Sequence, residues 1–232
     1  MRRLLAIVVL TYSTGCQQLP EPQSERAPNV APSAVSTSAN IYEIDPAQSQ
    51  LTMRLYRSGP LANLGHNHVV STTSLNGRIY VPSRFEDSEF ELRFPVRSLV
   101  VDDPADRAAA GSDFSSVPSA SDIEGTRSNM LGAELLDAEN YPDIIVTGSF
   151  EESTATPQLA VTFQVTDTAA TRTVPVTLSL QEDDVVVSGD FEMTHEELGL
   201  TPFSVMMGAL RVTSEIRFRF RVTARRLREE GS

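Results

Sequence analysis

The sequence predicts an all-β fold, an antiparallel eight-stranded barrel with one or two short helices inserted mid-chain. Apolar and polar residues alternate with a period of two in most segments between residues 41 and 222. Gly, Pro and Asp separate these segments, and helix-like spacing is confined to residues 105–136. Because most neighbouring strands have no helix between them, a barrel fits better than a parallel βαβ fold. A barrel of this size has an interior large enough for one small ligand.

The predicted strands follow the alternating segments. The clearest pattern has Phe90, Leu92 and Phe94 alternating with charged residues. In the last strand, arginines at 217, 219 and 221 fill one face, which we interpret as a solvated outer face balanced by acidic residues. In order, the strands are predicted at residues 41–45, 51–55, 75–81, 90–101, 144–146, 159–165, 174–180, 185–193 and 210–222.

The helical insert is predicted from residues 105–111 and 121–136, where the alternation is lost. Ser121-Asp122-Ile123-Glu124 resembles a capping box, which marks the start of a helix. Apolar residues after it approximate helical spacing. We therefore expect one or two short helices between the two halves of the sheet.

The N-terminal sequence predicts export and lipid anchoring. Residues 1–15 combine two arginines with the apolar run Leu4–Leu10, which is too short to span a bilayer and is typical of a signal peptide. Small residues precede Cys16, the only cysteine, as in a bacterial lipobox, so Cys16 is the predicted lipidation site. Residues 16–40 predict a flexible tether, residues 41–224 the barrel domain and residues 225–232 a charged tail. The predicted location is the periplasmic side of the bacterial envelope, anchored to the membrane by lipid.

The charge balance argues against a nucleic-acid partner. The 232 residues carry a formal net charge of −12, and all the basic residues are arginine. A chain this acidic should be repelled by the phosphates of DNA and RNA.

The three histidines are the candidate site residues. His66 and His68 lie two apart in Leu64–Val70, so on an extended strand both would point to the same face, and His195 lies far downstream. One interpretation is that all three sit near one end of a cavity and hold the polar head of a ligand. In the other, they form a three-nitrogen metal site with an open fourth position, with Glu196 or Glu197 as a further ligand.

Two phenylalanines complete the predicted ligand site. Phe94 faces the expected interior, and Phe203 belongs to an apolar patch with Met206 and Met207. This patch either lines the cavity mouth, forms a partner surface or packs as a loop over the barrel end.

The chain from Ile41 to about Ala224 resembles the YceI family of bacterial envelope proteins. The order and spacing of several short segments carry the resemblance: Tyr42-Glu43-Ile44-Asp45-Pro46, Asn76-Gly77-Arg78-Ile79, Leu135 to Ile144, Val174-Pro175-Val176-Thr177-Leu178, Gly189-Asp190-Phe191 and Leu198-Gly199-Leu200. The resemblance implies a lipocalin-like barrel that encloses a polyprenyl or other amphiphilic chain. The sequence departs from the family pattern at Gly65-His66-Asn67-His68 and at His195-Glu196-Glu197-Leu198-Gly199, where histidines stand in place of other groups.

The function favoured by the sequence is binding or carriage of a hydrophobic or amphiphilic small molecule, such as an isoprenoid, a quinone or a lipid chain. The alternative is a metal- or haem-binding redox or stress protein that uses His66, His68 and His195. An enzyme is not indicated, because no Ser-His-Asp order, phosphate-binding glycine loop or thiol nucleophile stands out. No cofactor is assigned, and a homodimer is left open.

Overall fold

The computed structural model describes residues 39–151 and 156–228 of the chain. Within them lie thirteen strands and two α-helices, with short 3₁₀ turns in several connections. Before the helices come β1 (Asn40–Ile44), β2 (Gln50–Ser58), β3 (His68–Thr72), β4 (Asn76–Val81), β5 (Glu89–Pro95) and β6 (Val100–Val101). The helices are α1 (Pro104–Ala110) and α2 (Ala120–Leu131). After them come β7 (Asp143–Glu151), β8 (Gln158–Gln164), β9 (Ala169–Pro175), β10 (Thr177–Leu180), β11 (Asp184–Thr194), β12 (Ser204–Val205) and β13 (Leu210–Arg226).

Antiparallel ladders lead around the barrel from β13 through β1, β4, β5, β7 and β8 to β9. The remaining link runs through β11, which pairs with β13 on one edge and with β10 on the other. Since β10 continues β9 after the single residue Val176, the circuit returns to its start. In the same way, β2 continues β1, β4 follows β3, β6 follows β5, and β12 follows β11 on the same edge of β13. The thirteen strands therefore occupy eight positions, which confirms the predicted antiparallel barrel.

The final strand shows how the alternating sequence builds the wall. Ile216 and Phe218 of β13 are buried, while Arg217 and Arg219, which alternate with them, point outward. Each of these arginines stands opposite an acidic residue of β11 and pairs with it: Arg217 Nε lies 2.8 Å from Glu192, and Arg219 Nε lies 2.7 Å from Asp190. The outer face is thus balanced by acids, as the alternation predicts, although such exposed pairs add little stability.

The two predicted helices are present, but the capping box lies two residues earlier than the sequence indicates. The N-cap of α2 is Ser119, whose hydroxyl accepts the Asp122 N–H, and Asp122 reciprocates by accepting the Ser119 N–H. Ser121 lies inside the helix. The sequence pattern requires Glu or Gln three residues after the N-cap. Asp122 fills that position here, so the box begins at Ser119 and not at Ser121.

Three strands also extend past the alternation that predicted them. β7 continues from Val146 to Glu151, β9 begins at Ala169 rather than Val174, and β13 runs to Arg226. The charged tail expected from residue 225 therefore begins as strand. Pairing decides these ends, because Arg225 and Arg226 form ladder pairs with β1 although neither is apolar.

The predicted signal peptide, Cys16 and the tether up to residue 38 lie outside the described residues. In the part that the structure describes, no helix has the length and apolar character needed to cross a membrane.

Candidate ligand-binding site

A cavity lies inside the barrel and is bounded by the inward side chains of its strands. Its volume is 130 Å³, taken as the space open to the centre of a water molecule. The central wall comes from the strands with the clearest alternation. The lining residues are Ile44, Leu51, Leu75, Ile79, Val81, Phe85, Ser88, Glu89, Phe90, Leu92, Phe94, Val146, Phe150, Leu159, Val161, Phe163, Val174, Val176, Leu178, Val185, Val187, Phe191, Phe220 and Val222.

The cavity wall is apolar except where β5 begins. Ser88 and Glu89 are its two polar lining residues. The Ser88 hydroxyl already donates to the Phe85 carbonyl oxygen at 2.5 Å, and Glu89 is exposed. The interior therefore offers contact area for an apolar chain but no free polar group for a ligand head.

Aromatic rings form much of the wall. The lining ring of Phe191 stacks on the buried Phe218 at 4.7 Å between centroids with 5° between their planes, and on the lining ring of Phe163 at 5.6 Å. At the β4–β5 connection, Phe85 meets Phe150 edge to face at 4.8 Å. Such pairs fix ring positions and so define the shape of the space that remains.

Two inward glycines make room for two further lining rings, those of Phe90 and Phe220. A Cβ on Gly148 would lie 2.6 Å from the Phe90 ring, and a Cβ on Gly189 would lie 3.0 Å from the Phe220 ring. Each ring lies over a glycine because that residue has no side chain to displace it.

The two predicted phenylalanines have different positions. Phe94 is 2 % exposed and lines the cavity, as expected for an inward residue of β5. Phe203 is 39 % exposed and is absent from the lining set. The structure thus places Phe94, but not Phe203, at the cavity.

None of the three histidines lines the cavity. His66 lies just before β3 rather than on it, so the strand argument for a shared face does not apply, yet its ring centroid is 6.4 Å from that of His68. His195 is buried in the turn after β11, where its backbone N–H and its Nδ1–H both donate to the Ser214 carbonyl oxygen. His195 therefore ties the end of β11 to β13.

His68 is held by a carboxylate that sequence reasoning did not single out. Its Nδ1–H donates to Asp102 at 2.6 Å, and the other Asp102 oxygen accepts the Val69 N–H at 3.0 Å. Asp102 follows β6 with a positive φ of 58°. Few non-glycine residues adopt that conformation. Asp102 is fixed there because its own N–H donates to the Val69 carbonyl oxygen at 2.7 Å.

Arg107 of α1 completes this buried cluster. Its guanidinium donates to Asp102, to the Asn67 carbonyl oxygen at 2.7 Å and to the carbonyl oxygens of Phe114 and Ser116 at 2.9 and 2.6 Å. The side chain is 8 % exposed. Three separate segments converge on this single cation, so it joins the helical insert to β3.

The charge state of Asp102 follows from these contacts. Burial alone would raise the pKa of its carboxyl group. The hydrogen bonds from His68 and the Val69 N–H, with the His68 charge and the Arg107 hydrogen bond, outweigh burial and lower the pKa below its usual value. Asp102 is therefore an anion at neutral pH.

The predicted three-histidine metal site is not assembled. Among the described residues, no group of three or more His, Cys, Asp and Glu side chains is arranged to hold a metal ion. The nearest acidic neighbour of His66 is Asp122, 3.8 Å from its Nε2, and Asp122 already serves the α2 capping box. Glu196 and Glu197 are hydrogen-bonded to Ser214 and to the Thr194 N–H, respectively.

The sequence marks Asp102 only as part of a turn before α1. Asp102-Asp103-Pro104 reads as a turn, and Asp103 does cap α1 by accepting from Ala105 and Asp106. That reading explains one aspartate and leaves Asp102 unassigned. Its role requires β3 and α1 to meet, which no local pattern indicates.

The solved structures that are similar to this chain share little of its sequence. BcnA from Burkholderia cenocepacia is 12 % identical, with a TM-score of 0.56 over 78 % of this chain and 98 % of BcnA. A YceI protein from Campylobacter jejuni is 9 % identical, with a TM-score of 0.47 over 69 % of this chain and 85 % of that one. No curated protein sequence matches the chain.

The family is shown by the sequence profile of the YceI-like domain, which matches residues 42–224. These bounds take in every strand of the barrel from β1 to the C-terminal part of β13. The match agrees with the eight-position barrel and with the fold of BcnA. The chain belongs to the YceI-like domain family.

Proposed function

We propose that this protein binds or carries one hydrophobic or amphiphilic small molecule inside its barrel. The observation that carries the proposal is the apolar cavity, where the polar lining residues among those that the structure describes are Ser88 and Glu89 at the start of β5. The family match supports it through the resemblance to barrels that enclose amphiphilic chains. An isoprenoid, a quinone tail or a lipid chain fits this wall, and none of them needs a polar partner along its length.

The cavity volume sets the size of the enclosed part. A cavity of about 150 Å³ holds a benzene molecule, so at 130 Å³ this one encloses about six carbons of a chain. Burial of those carbons would contribute about 5 kcal/mol before ordering costs, at about 0.8 kcal/mol for each methylene. A longer chain must extend beyond the cavity or widen the barrel.

We further propose that the protein acts as a lipoprotein on the periplasmic side of the bacterial envelope. Support comes from the apolar run Leu4–Leu10 and from the small residues that precede Cys16. Lipid anchoring would hold the barrel beside the bilayer, where apolar ligands reside. In this proposal the protein is a binding protein and not an enzyme.

The ligand proposal is tested by native mass spectrometry of the protein purified from a bacterial envelope, with organic extraction and elemental analysis. We expect an isoprenoid or lipid mass released by solvent. A stoichiometric metal without such a mass would overturn the proposal in favour of the metalloprotein alternative. Absence of both, with no uptake of 1-decanol by calorimetry, would also overturn it.

A matched pair of variants locates the ligand. Val161 and Thr162 are neighbours on β8, but Val161 lines the cavity, whereas the Thr162 hydroxyl pairs with Thr171 on the outer face. Val161→Phe should abolish decanol binding by filling the cavity, and Thr162→Phe should leave it unchanged. Equal binding by both variants would place the ligand elsewhere.

Lipid anchoring has its own test. The mass of the processed protein from a bacterial envelope should include acyl chains on Cys16, and Cys16→Ala should remove them. A processed protein without acyl chains would refute the anchor and leave the cavity proposal intact.

A further inference from the structure

Arg172 places a charged residue at an inward position of the barrel wall. In the β8–β9 ladder it stands directly opposite Val161, which lines the cavity. Because paired residues of an antiparallel ladder share a face, the Cα–Cβ bond of Arg172 points inward. Its same-face neighbours, Ala170 and Val174, are both buried, as an inward row requires.

The guanidinium group can leave the interior because the wall is unpaired at this level. Among the described strands, β9 forms a ladder with β8 only, and β11 pairs with β10 rather than with β9. Arg172 reaches Glu197, in the turn that follows β11, with 2.8 Å between Nη1 and Oε1. Its side chain is 38 % exposed, so it lies partly between the interior and solvent.

Glu197 is held independently of this pair. Its other carboxylate oxygen accepts the Thr194 N–H at 2.7 Å, and its own N–H donates to the Thr194 hydroxyl at 3.1 Å. With both partners more than one third exposed, the Arg172–Glu197 contact contributes little to stability. Another anion can therefore replace Glu197 on Arg172 without unfolding the turn.

The chemistry of Arg172 complements the apolar cavity. An arginine fork binds a carboxylate or phosphate through two parallel hydrogen bonds, which a neutral hydroxyl cannot accept in the same way. The cavity wall holds the tail of a ligand but has no free donor for its head. Arg172 supplies that donor beside Val161 and Val174, two residues that line the cavity.

We propose that Arg172 is the head-group residue of the barrel, and that it selects amphiphiles with an anionic oxygen head and an apolar chain. In the free protein Glu197 occupies the place of the head, and the ligand displaces it. This inference rests on the proposed function, because it assumes that the tail fills the cavity.

The test compares decanoate, decyl phosphate and 1-decanol, which share a chain and differ in the head, by calorimetric titration of the full-length chain. We expect the wild-type protein to bind the two anions about tenfold more tightly than decanol, the factor that about 1.4 kcal/mol provides. Arg172→Met should reduce this ratio to about one, because the two anions lose the guanidinium that decanol does not need. Glu197→Gln should raise affinity for the anions severalfold, because it removes the competing charge.

A matched control distinguishes this role from general charge. Arg219→Met removes an arginine whose ion pair, with Asp190 at 2.7 Å, lies on the outer face, and it should keep the tenfold ratio. If only one of the two anions shows the preference, that anion is the head class.

Two outcomes overturn the inference, and they can be told apart. If decanol binds but neither anion binds more tightly, or if Arg172→Met keeps the preference, Arg172 is not the head-group residue and the cavity proposal stands. If no probe binds the wild-type protein, the proposed function fails and this inference fails with it.

Discussion

The interior of the barrel and the buried cluster of Asp102, Arg107 and His68 differ in how many residue types each position can accept. In the interior, apolar side chains of several kinds face one another across a cavity, and no hydrogen bond fixes their identity. In the cluster, Asp102, Arg107 and His68 each have defined partners at hydrogen-bonding distance. The interior needs only apolar area and a suitable volume, whereas the cluster needs particular atoms in particular places.

This difference separates binding from stability. An apolar cavity can admit chains of different chemistry, because contact with each methylene contributes independently of its position. The cluster has no such tolerance, since removing one partner leaves a buried charge without compensation. We therefore expect changes in the interior to alter ligand binding, and changes in the cluster to alter the free energy of unfolding.

The largest expected effect is on the cluster. Arg107→Met should lower the free energy of unfolding by about 3–5 kcal/mol, because it leaves the Asp102 carboxylate buried beside unpaired carbonyl oxygens. Urea unfolding at pH 7 measures the change. Arg219→Met, which removes an exposed pair, should cost no more than about 1 kcal/mol. If the two variants lose similar free energy of unfolding, the buried cluster contributes no more to stability than an exposed ion pair.

A pH titration of stability gives the next effect. The folded-state pKa of Asp102 lies below its unfolded value, so its contribution is fully present above the unfolded pKa of about 4. That contribution is lost as the pH falls through the folded pKa. The free energy of unfolding should therefore decline below about pH 4.

The matched variant for this titration is Asp102→Asn, which should already be less stable at pH 7 and should show a shallower decline. Glu196 and Glu197 also have lowered pKa values, the first chiefly through the Ser214 hydrogen bond and the second through the Thr194 N–H. Some decline should thus persist in the variant. Parallel curves for the two proteins would mean that Asp102 does not contribute to the acid sensitivity.

The smallest effect concerns the start of α2. Ser119→Ala should lower the free energy of unfolding by about 1 kcal/mol, because it removes the N-cap acceptor. Ser121→Ala should change it by less than about 0.5 kcal/mol, since that residue lies inside the helix and Ala has the higher helix propensity. If urea unfolding shows a larger loss for Ser121→Ala than for Ser119→Ala, the N-cap is Ser121, as the sequence pattern indicates.

Prediction from sequence succeeded where a side chain's role depends on its neighbours along the chain. Phe94 was assigned to the interior because Phe90 and Leu92 alternate with it, and it lines the cavity. His66 and His68 were singled out for their spacing, and their rings do lie near each other. Their separation from the cavity could not be foreseen, because it depends on Asp102 and Arg107, which meet His68 across the fold.

The sequence by itself determined the class of fold, the order of its elements and the outward row of arginines, because a period of two decides which face each residue takes. Only the tertiary structure decided that β10 completes the circuit, that Asp102 and Arg107 share one buried site, and that β9 leaves Arg172 beside Glu197. The tertiary structure also decided the cavity, because its volume is the space that remains when strands distant in sequence close around the aromatic rings. Each depends on residues far apart in sequence, and local patterns carry no information about such meetings.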